Sequence, residues 1–255
     1  MSDIEINRDG AVLVIEFNRP EKKNAITAAM YQLLADGLKQ ADTDPAVRAV
    51  LLKGRPDIFT VGNDLEDFMK NPPRDGASPV FQFLTHLSHA TKPLVAAVNG
   101  AAVGVCTTML FHCDLVYAGD NAKFSLPFAT LGLCPEAASS YLLPLIVGYQ
   151  RAAEKLMLGE PFLAAEAREM GFVNQVLPAA EVAAFALERA KKLAALPGSS
   201  IRATKALMRN AHLKMIEAQM GEESAQFRQM LASPEAKEAF KAFFERRKPD
   251  FSQFA

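Results

Sequence analysis

The stretch that decides the fold reads K-P-L-V-A-A-V-N-G-A-A-V-G-V-C-T-T-M-L-F, from residue 92 to residue 111. Leu94–Val98 is an apolar run of strand length, and it ends at Asn99-Gly100, a turn signal. Gly104 opens a second apolar run, residues 105–111, for which we predict a helix. A strand that turns through glycine into a helix leaves unpaired N–H groups at the positive end of the helix dipole. The sequence therefore predicts a site that can hold a developing oxyanion.

Strand and helix signals alternate through the rest of the chain. The predicted strands are residues 4–6, 12–17, 47–53, 94–98, 115–117, 123–125 and 174–177. Asp9-Gly10 predicts a hairpin between the first two strands, and Thr27 is the predicted cap of a helix over 28–41. A further helix is predicted at 80–90, after a polar loop at 71–79 expected to be mobile. Beyond Pro135 the pattern is mostly helical, and Ser233-Pro234 starts one of these helices. This order predicts an α/β fold with a helical C-terminal third.

Composition excludes several classes of function. Of the 255 residues 50% are hydrophobic, which is enough to form a buried core. The net charge of -1 argues against a nucleic-acid-binding surface. The three cysteines and four histidines lack zinc-ligand spacing, and we expect reduced core thiols and no metal. No apolar run reaches membrane-spanning length. The first residues, M-S-D-I-E-I-N, lack the basic and apolar regions of a secretory signal, and the C-terminal Gln-Phe-Ala is not a peroxisomal signal. We therefore expect a cytoplasmic location.

Motifs spread along the whole chain carry a family resemblance. They are Asn18-Arg19-Pro20, Asn24-Ala25-Ile26, F-T-V-G-N-D-L at 59–65, Val98-Asn99-Gly100, Gly104, Cys113-Asp114, Gly171-Phe172-Val173 and F-E-R-R-K-P-D-F at 244–251. In this order they resemble the crotonase (enoyl-CoA hydratase/isomerase) superfamily. The resemblance implies a spiral of ββα units over residues 1–195 and a helical trimerisation region over 196–255. It also implies a homotrimer or dimer of trimers that acts on acyl-CoA thioesters. No cofactor is expected, because CoA is part of the substrate.

The resemblance also assigns binding residues. The backbone N–H groups of Asn63 and Val105 match the family's oxyanion hole. Most members carry glycine where Val105 stands, but backbone donation does not depend on the side chain. Lys23, Asn24, Ala25 and Ile26 match the loop that receives CoA, while Val61, Asp64, Leu65 and Phe128 are expected to contact substrate, and Lys248 a phosphate. Asp64 is in addition the predicted cap of a helix starting at Leu65.

Glu136 is the candidate acid/base. The two hydratase glutamates of the family align with Thr108 and Phe128, and neither side chain serves as a base near neutral pH. P-E-A-A-S-S at 135–140 resembles instead a segment of the peroxisomal-type Δ3,Δ2-enoyl-CoA isomerases, in which the glutamate is the base. One carboxylate is enough for a 1,3-proton shift. Burial would raise the pKa of Glu136 and a helix N-terminus would lower it, so the sequence leaves the sign of the shift open.

Three functions therefore remain open from the sequence. The first is an enoyl-CoA isomerase acting through Glu136. The second is another crotonase reaction, such as hydration with a single acid. The third is a non-catalytic protein that binds acyl-CoA, since one fold supports many functions.

Overall fold

The computed structural model describes residues 2–74 and 76–254, so Asp75 of the predicted loop lies outside the described residues. The N-terminal elements are β1 (Ile4–Asp9), β2 (Val12–Phe17), α1 (Ala28–Thr43), β3 (Ala49–Lys53), α2 (Leu65–Lys70), α3 (Pro79–His89), β4 (Leu94–Val98), β5 (Ala101–Val103), α4 (Val105–Thr108), β6 (Leu115–Gly119) and β7 (Lys123–Ser125). They are followed by α5 (Ser139–Val147), α6 (Tyr149–Leu158), β8 (Phe162–Leu163), α7 (Ala164–Met170), β9 (Gln175–Leu177), α8 (Val182–Ala195), α9 (Gly198–Leu231) and α10 (Pro234–Phe244). The predicted α/β fold with a helical C-terminal region is confirmed.

Two sheets carry the fold. The larger has the order β1-β2-β3-β4-β6-β9, and every neighbouring pair except β1–β2 is parallel. The smaller has the order β5-β7-β8. Only Asn99 and Gly100 separate β4 from β5, so the chain leaves one sheet and enters the other at this turn. That step places the N-terminus of α4 at the edge of the small sheet.

The large sheet is covered on both faces by apolar side chains. One face packs with α1, α3 and the small sheet into the main core, where Phe17, Phe59 and Phe124 are fully buried. The other face packs against α8 through small side chains at a spacing of four residues, which are Val182, Ala186, Ala190 and Ala194. Such a stripe lets the helix approach the sheet closely while its polar side faces solvent.

The helix predicted at residues 105–111 is wrong in length. The structure has a four-residue helix, α4, followed by a 3-10 turn at Met109–His112. The hydroxyl of Thr107 donates to the carbonyl of Ala102 at 2.6 Å, and such a bond between side chain and backbone competes with a regular helix. The short strand β5 was also missed, because three residues give no visible alternation.

The C-terminal region is formed by α9, with 34 residues, and α10. Ser233 caps α10 as predicted, accepting from the N–H of Ala236 at 3.1 Å. The buried side chains of α9 are Lys205, Ile216 and Glu223. The helix therefore docks through charged groups as well as through apolar side chains, which include Met220, Phe227, Met230 and Leu231. The division of the chain into a core at residues 1–195 and a helical region at 196–255 stays a prediction. In the described part of the chain, no helix combines the length and apolarity that crossing a membrane requires.

Gly100 at the step between the sheets offers a stability test. Its φ is +61°, and a Cβ there would lie 2.0 Å from the carbonyl oxygen of Asp57. We expect Gly100→Ala to lower the free energy of unfolding by about 2–4 kcal/mol, from backbone strain plus overlap. The matched control is Gly221→Ala in α9, where a Cβ meets nothing within 4 Å. It should be neutral or stabilising, by up to about 1 kcal/mol. Urea denaturation of both variants measures this, and equal stabilities would contradict it.

Candidate active site

The first oxyanion donor lies on the loop between β3 and α2. Ile26 and this loop pair like adjacent strands, since the N–H of Ile26 donates to Gly62 O at 2.8 Å and the N–H of Asp64 to Ile26 O at 2.9 Å. These two bonds flank Asn63. Among residues 2–74 and 76–254, the Asn63 N–H has no protein acceptor. The Asn63 side chain is held separately, because the Tyr31 hydroxyl donates to its Oδ1 at 2.5 Å.

The second donor is at the start of α4. Gly104 precedes it with φ +57°, and its carbonyl accepts from the N–H groups of Thr107 and Thr108 at 2.8 and 3.0 Å. The N–H of Val105, as the first residue of the helix, has no acceptor within the described residues. The side chain of Val105 is buried in the core, so valine in place of glycine leaves the backbone donor available.

Glu136 lies on the wall of the same cavity as these two donors. The cavity has a volume of about 780 Å³ and is lined mainly by apolar side chains, among them Phe128, Leu131 and Leu133. Thr108 Oγ1 donates to Glu136 Oε1 at 2.5 Å. Thr108 therefore orients the carboxylate of Glu136.

The structure decides the sign of the shift for Glu136. Burial raises the pKa of Glu136 to about 8, the hydrogen bond from Thr108 opposes this, and the negative charge of Glu223 adds to it. The helix-dipole contribution that would have lowered the pKa does not dominate, because α5 begins only at Ser139. A carboxylate with a pKa near the working pH is suited to both accept and return a proton.

The backbone that follows Glu136 is unusual. Ala137 and Ala138 both have left-handed conformations, with φ of 60° and 55°. His112 Nε2 lies 2.8 Å from Ala137 O, and Arg209 Nη2 lies 2.8 Å from His112 Nδ1. Because arginine only donates, Nδ1 is the acceptor and Nε2 carries the proton given to Ala137. Burial and the charge of Arg209 lower the pKa of His112 to about 3, which keeps the imidazole neutral. This contact between His112 and the loop that carries Glu136 was not predicted from the sequence.

Hydrogen bonds and an ion pair connect the predicted CoA-binding loop, at residues 23–26, to the loop at residues 59–64. Arg19 Nη1 donates to Ala25 O at 2.9 Å and pairs with Asp64 Oδ2 at 2.8 Å. Asp64 caps α2 as predicted, accepting from the N–H of Asp67 at 3.2 Å. Asn24 is fully buried, and its side chain bonds the backbone of Arg19 and Phe59. The Asn24 side chain therefore holds the loop together.

The structure brings together most of the predicted site residues. Those that line the 780 Å³ cavity are Ala25, Val61, Asn63, Asp64, Leu65, Val105, Phe128 and Glu136. Lys23, Asn24 and Lys248 are not among its lining residues, and Ile26 lines a second cavity. Sequence analysis did not predict the aromatic wall from α9 and α10, made of Phe227, Phe240, Phe243 and Phe244. Nothing local marks these side chains, because only the docking of the C-terminal helices brings them to the site.

The second cavity adjoins the first. It has a volume of about 410 Å³, lies between α1, α2 and α3, and includes Tyr31 in its lining. Asn63 and Phe68 line both cavities. A substrate held at the Asn63 N–H therefore has two directions in which an apolar chain can extend.

Comparison with known proteins identifies the class. A family model described as enoyl-CoA hydratase/isomerase matches residues 7–254. The crystal structure of an enoyl-CoA hydratase/isomerase from Pseudoalteromonas atlantica has a TM-score of 0.94 and 42% identity, covering 98% of this chain and 100% of that one. The chain belongs to the enoyl-CoA hydratase/isomerase family, that is, to the crotonase superfamily, and it has the crotonase fold.

Individual relatives differ in their reactions. Enoyl-CoA delta isomerase 2 of Rattus norvegicus is 39% identical over 250 residues, which are 96% of this chain and 64% of the isomerase. The 2,3-dehydroadipyl-CoA hydratase of Escherichia coli is 32% identical over 255 residues, 98% of this chain and 99% of the hydratase. The chain thus spans less than two thirds of the rat isomerase. Since the two relatives are named for different reactions, the choice between them depends on the site.

The raised pKa of Glu136 has a consequence for stability. Between pH 4.5 and about 8 this carboxyl ionises in the unfolded chain but stays protonated in the folded one, so folded-state stability falls as pH rises through that window. Glu136→Gln removes this loss. We expect its free energy of unfolding to gain on that of the wild type from pH 5 to pH 8.5, measured by urea denaturation. The exposed Glu169→Gln should show no such trend, and a difference that is flat with pH would contradict the expectation.

Proposed function

We propose that this protein is an enoyl-CoA isomerase that converts a 3-enoyl-CoA into a trans-2-enoyl-CoA, with Glu136 as the acid/base. The observation that carries the proposal is the carboxylate of Glu136, which Thr108 orients on the wall of a cavity. The same cavity is lined by Asn63 and Val105, whose backbone N–H groups have no acceptor within the described residues. Hydration needs a base beside water and an acid beside carbon. Thr108 and Phe128 stand where hydratases carry these acids, which favours the isomerase.

The proposed reaction moves one proton. The ionised Glu136 takes a proton from C2, and the electron pair passes into the thioester to give a dienolate. The N–H groups of Asn63 and Val105 stabilise the oxygen of that dienolate, each contributing about 3–4 kcal/mol by analogy with other oxyanion holes. The protonated Glu136 then returns the proton to C4, and the double bond lies between C2 and C3. No atoms are gained or lost, and no cofactor is needed.

Substrate binding follows from the walls of the cavity. The thioester would lie beside Val61 and Leu65, and CoA would leave past Ala25 towards Lys22, at the cavity rim. Lys23 and Lys248 are exposed cations at the surface, and we keep them as proposed phosphate contacts. The second cavity, reached past Asn63 and Phe68, supports an acyl chain of medium or greater length.

The proposal includes a homotrimer or a dimer of trimers. It is supported by large apolar side chains exposed on α6 and α9, which an interface with other copies of the chain would bury. These side chains are Tyr149, Met157, Leu207 and Met208. Sedimentation velocity at micromolar concentration should give the mass of three or six chains, and a monomer would contradict this part of the proposal.

The reaction is tested with two substrates. Purified protein should form a conjugated 2-enoyl thioester from a 3-enoyl-CoA, and it should hydrate a trans-2-enoyl-CoA at a far lower rate. Hydration as the dominant reaction would favour the hydratase alternative, which the full-length match to the Escherichia coli hydratase keeps open. Binding of an acyl-CoA without turnover of either compound would favour a non-catalytic protein.

Glu136→Gln is the sharpest test of the assigned base. Removing the group that accepts the proton should lower kcat about 10²–10⁴-fold, while the Kd for trans-2-enoyl-CoA stays within about twofold. The exposed Glu169→Gln is the matched control and should retain wild-type kcat. Unchanged turnover in Glu136→Gln would mean that another group is the base. In the wild type, kcat/KM should rise with pH up to about 8, since only the carboxylate accepts the proton.

A further inference from the structure

Three charged side chains of helix α9 contact the core. Lys205 Nζ pairs with Asp114 Oδ2 at 2.7 Å, and Arg209 donates to His112 at 2.8 Å. The third is Glu223, which is only 5% exposed. A buried ion is costly unless hydrogen bonds replace its water. Lys205 and Glu223 have such partners, and Arg209 has them at its two terminal nitrogens.

The donors to the Glu223 carboxylate all belong to the segment that follows Glu136. The N–H of Ala138 donates to Glu223 Oε2 at 2.6 Å, and the N–H of Ser140 donates to Oε1 at 2.9 Å. The Ser140 hydroxyl also donates to Oε1, at 2.5 Å, and itself accepts from Gln219 at 3.0 Å. Three donors converge on the two carboxylate oxygens. Burial raises the pKa of Glu223, and these three hydrogen bonds oppose that rise because they favour the ionised carboxylate.

This segment needs support, because two alanines in succession have positive φ. For a residue with a Cβ, the left-handed conformation is less favourable than the right-handed one, because the Cβ comes too close to the following carbonyl oxygen. Without external bonds the backbone at Ala137 and Ala138 would relax, and the direction of the Glu136 side chain would change with it. Glu223 binds the segment at Ala138, and His112 binds it at Ala137 from the opposite side.

We propose that Glu223 is a positioning residue for Glu136, which holds the catalytic carboxylate in place by clamping the left-handed Ala137–Ala138 backbone from α9. The proposal rests on the proposed role of Glu136 as the base. Arg209 of the same helix supports the other side of the clamp through His112. The docked position of α9 is therefore a requirement for an ordered active site.

Glu223 also acts on Glu136 through its charge. As a like charge it raises the pKa of Glu136, so its removal lowers that pKa. The groups that face Glu136 or Glu223 from the packed elements are Tyr31 of α1, Cys106 and Thr108 of α4, Cys134 of the preceding loop and Ser140 of α5. Burial raises the pKa of Tyr31, Cys106 and Cys134, so these three groups stay protonated near neutral pH.

The test is Glu223→Gln in the full-length protein. A glutamine amide offers one oxygen and one NH₂ group to three donors, so one backbone N–H loses its acceptor. We expect amide hydrogen exchange at residues 138–140 to become at least about tenfold faster. We expect kcat to fall about 10²-fold with the Kd for trans-2-enoyl-CoA little changed, as for a misplaced catalytic group. The acidic limb of kcat/KM should move to lower pH, which loss of general stability would not cause.

The matched control is Glu217→Gln on the same helix. Glu217 is exposed and pairs with His89 at 2.7 Å, away from the catalytic segment. It should leave exchange, kcat and the pH profile as in the wild type. If Glu223→Gln does not fold, Ser140→Ala removes one donor and leaves the charged carboxylate in place. It should cause the same changes in exchange and kcat to a smaller degree, without the shift of the acidic limb to lower pH.

Each outcome distinguishes the two proposals. Faster exchange with lower kcat supports both. Faster exchange in a protein whose wild type turns over no 3-enoyl-CoA supports the clamp and contradicts the isomerase function. Unchanged exchange at residues 138–140 in Glu223→Gln, or in Ser140→Ala when the first variant does not fold, overturns the clamp.

Discussion

The site depends on the close approach of the loop at residues 59–64 to the start of the small sheet. The N–H of Thr60 donates to Ala101 O at 2.9 Å, and the N–H of Val103 donates to Thr60 O at 3.2 Å. Gly62 permits this approach, because a Cβ there would lie 2.9 Å from Val103 O. The two segments come from distant parts of the chain. Their pairing brings Asn63 and Val105, whose backbone N–H groups have no acceptor within the described residues, to the wall of one cavity.

Glu136 shows how function and stability oppose each other at this site. An apolar wall raises its pKa to about 8, which makes the carboxylate a better proton acceptor when ionised and a ready donor when protonated. The same burial makes ionisation of the folded protein costly. The hydrogen bond from Thr108 limits that cost and orients the Glu136 carboxylate. A second carboxylate at residue 108 or 128 would change the charge around Glu136 and its hydrogen-bond partners.

The helical C-terminal region contributes to the site as well as to packing. The aromatic wall from α9 and α10 closes one side of the cavity, and Glu223 reaches the backbone beside Glu136. Charged contacts suit this task, because they are directional and tolerate little displacement, whereas apolar contacts tolerate small shifts. A helix docked in this way couples the shape of the cavity to the backbone that carries Glu136.

The sequence by itself determined what depends on neighbouring residues. Alternation located most strands, Thr27, Asp64 and Ser233 marked helix starts, and the motifs around Asn63, Gly104 and Glu136 indicated the oxyanion hole and the base. Tertiary structure decided the rest. The length of α4, the pKa of Glu136 and the roles of Thr108, His112 and Glu223 arise from contacts between residues up to about a hundred positions apart. A local pattern carries no information on such contacts, because burial and hydrogen bonding at a site are set by whatever the fold brings against it.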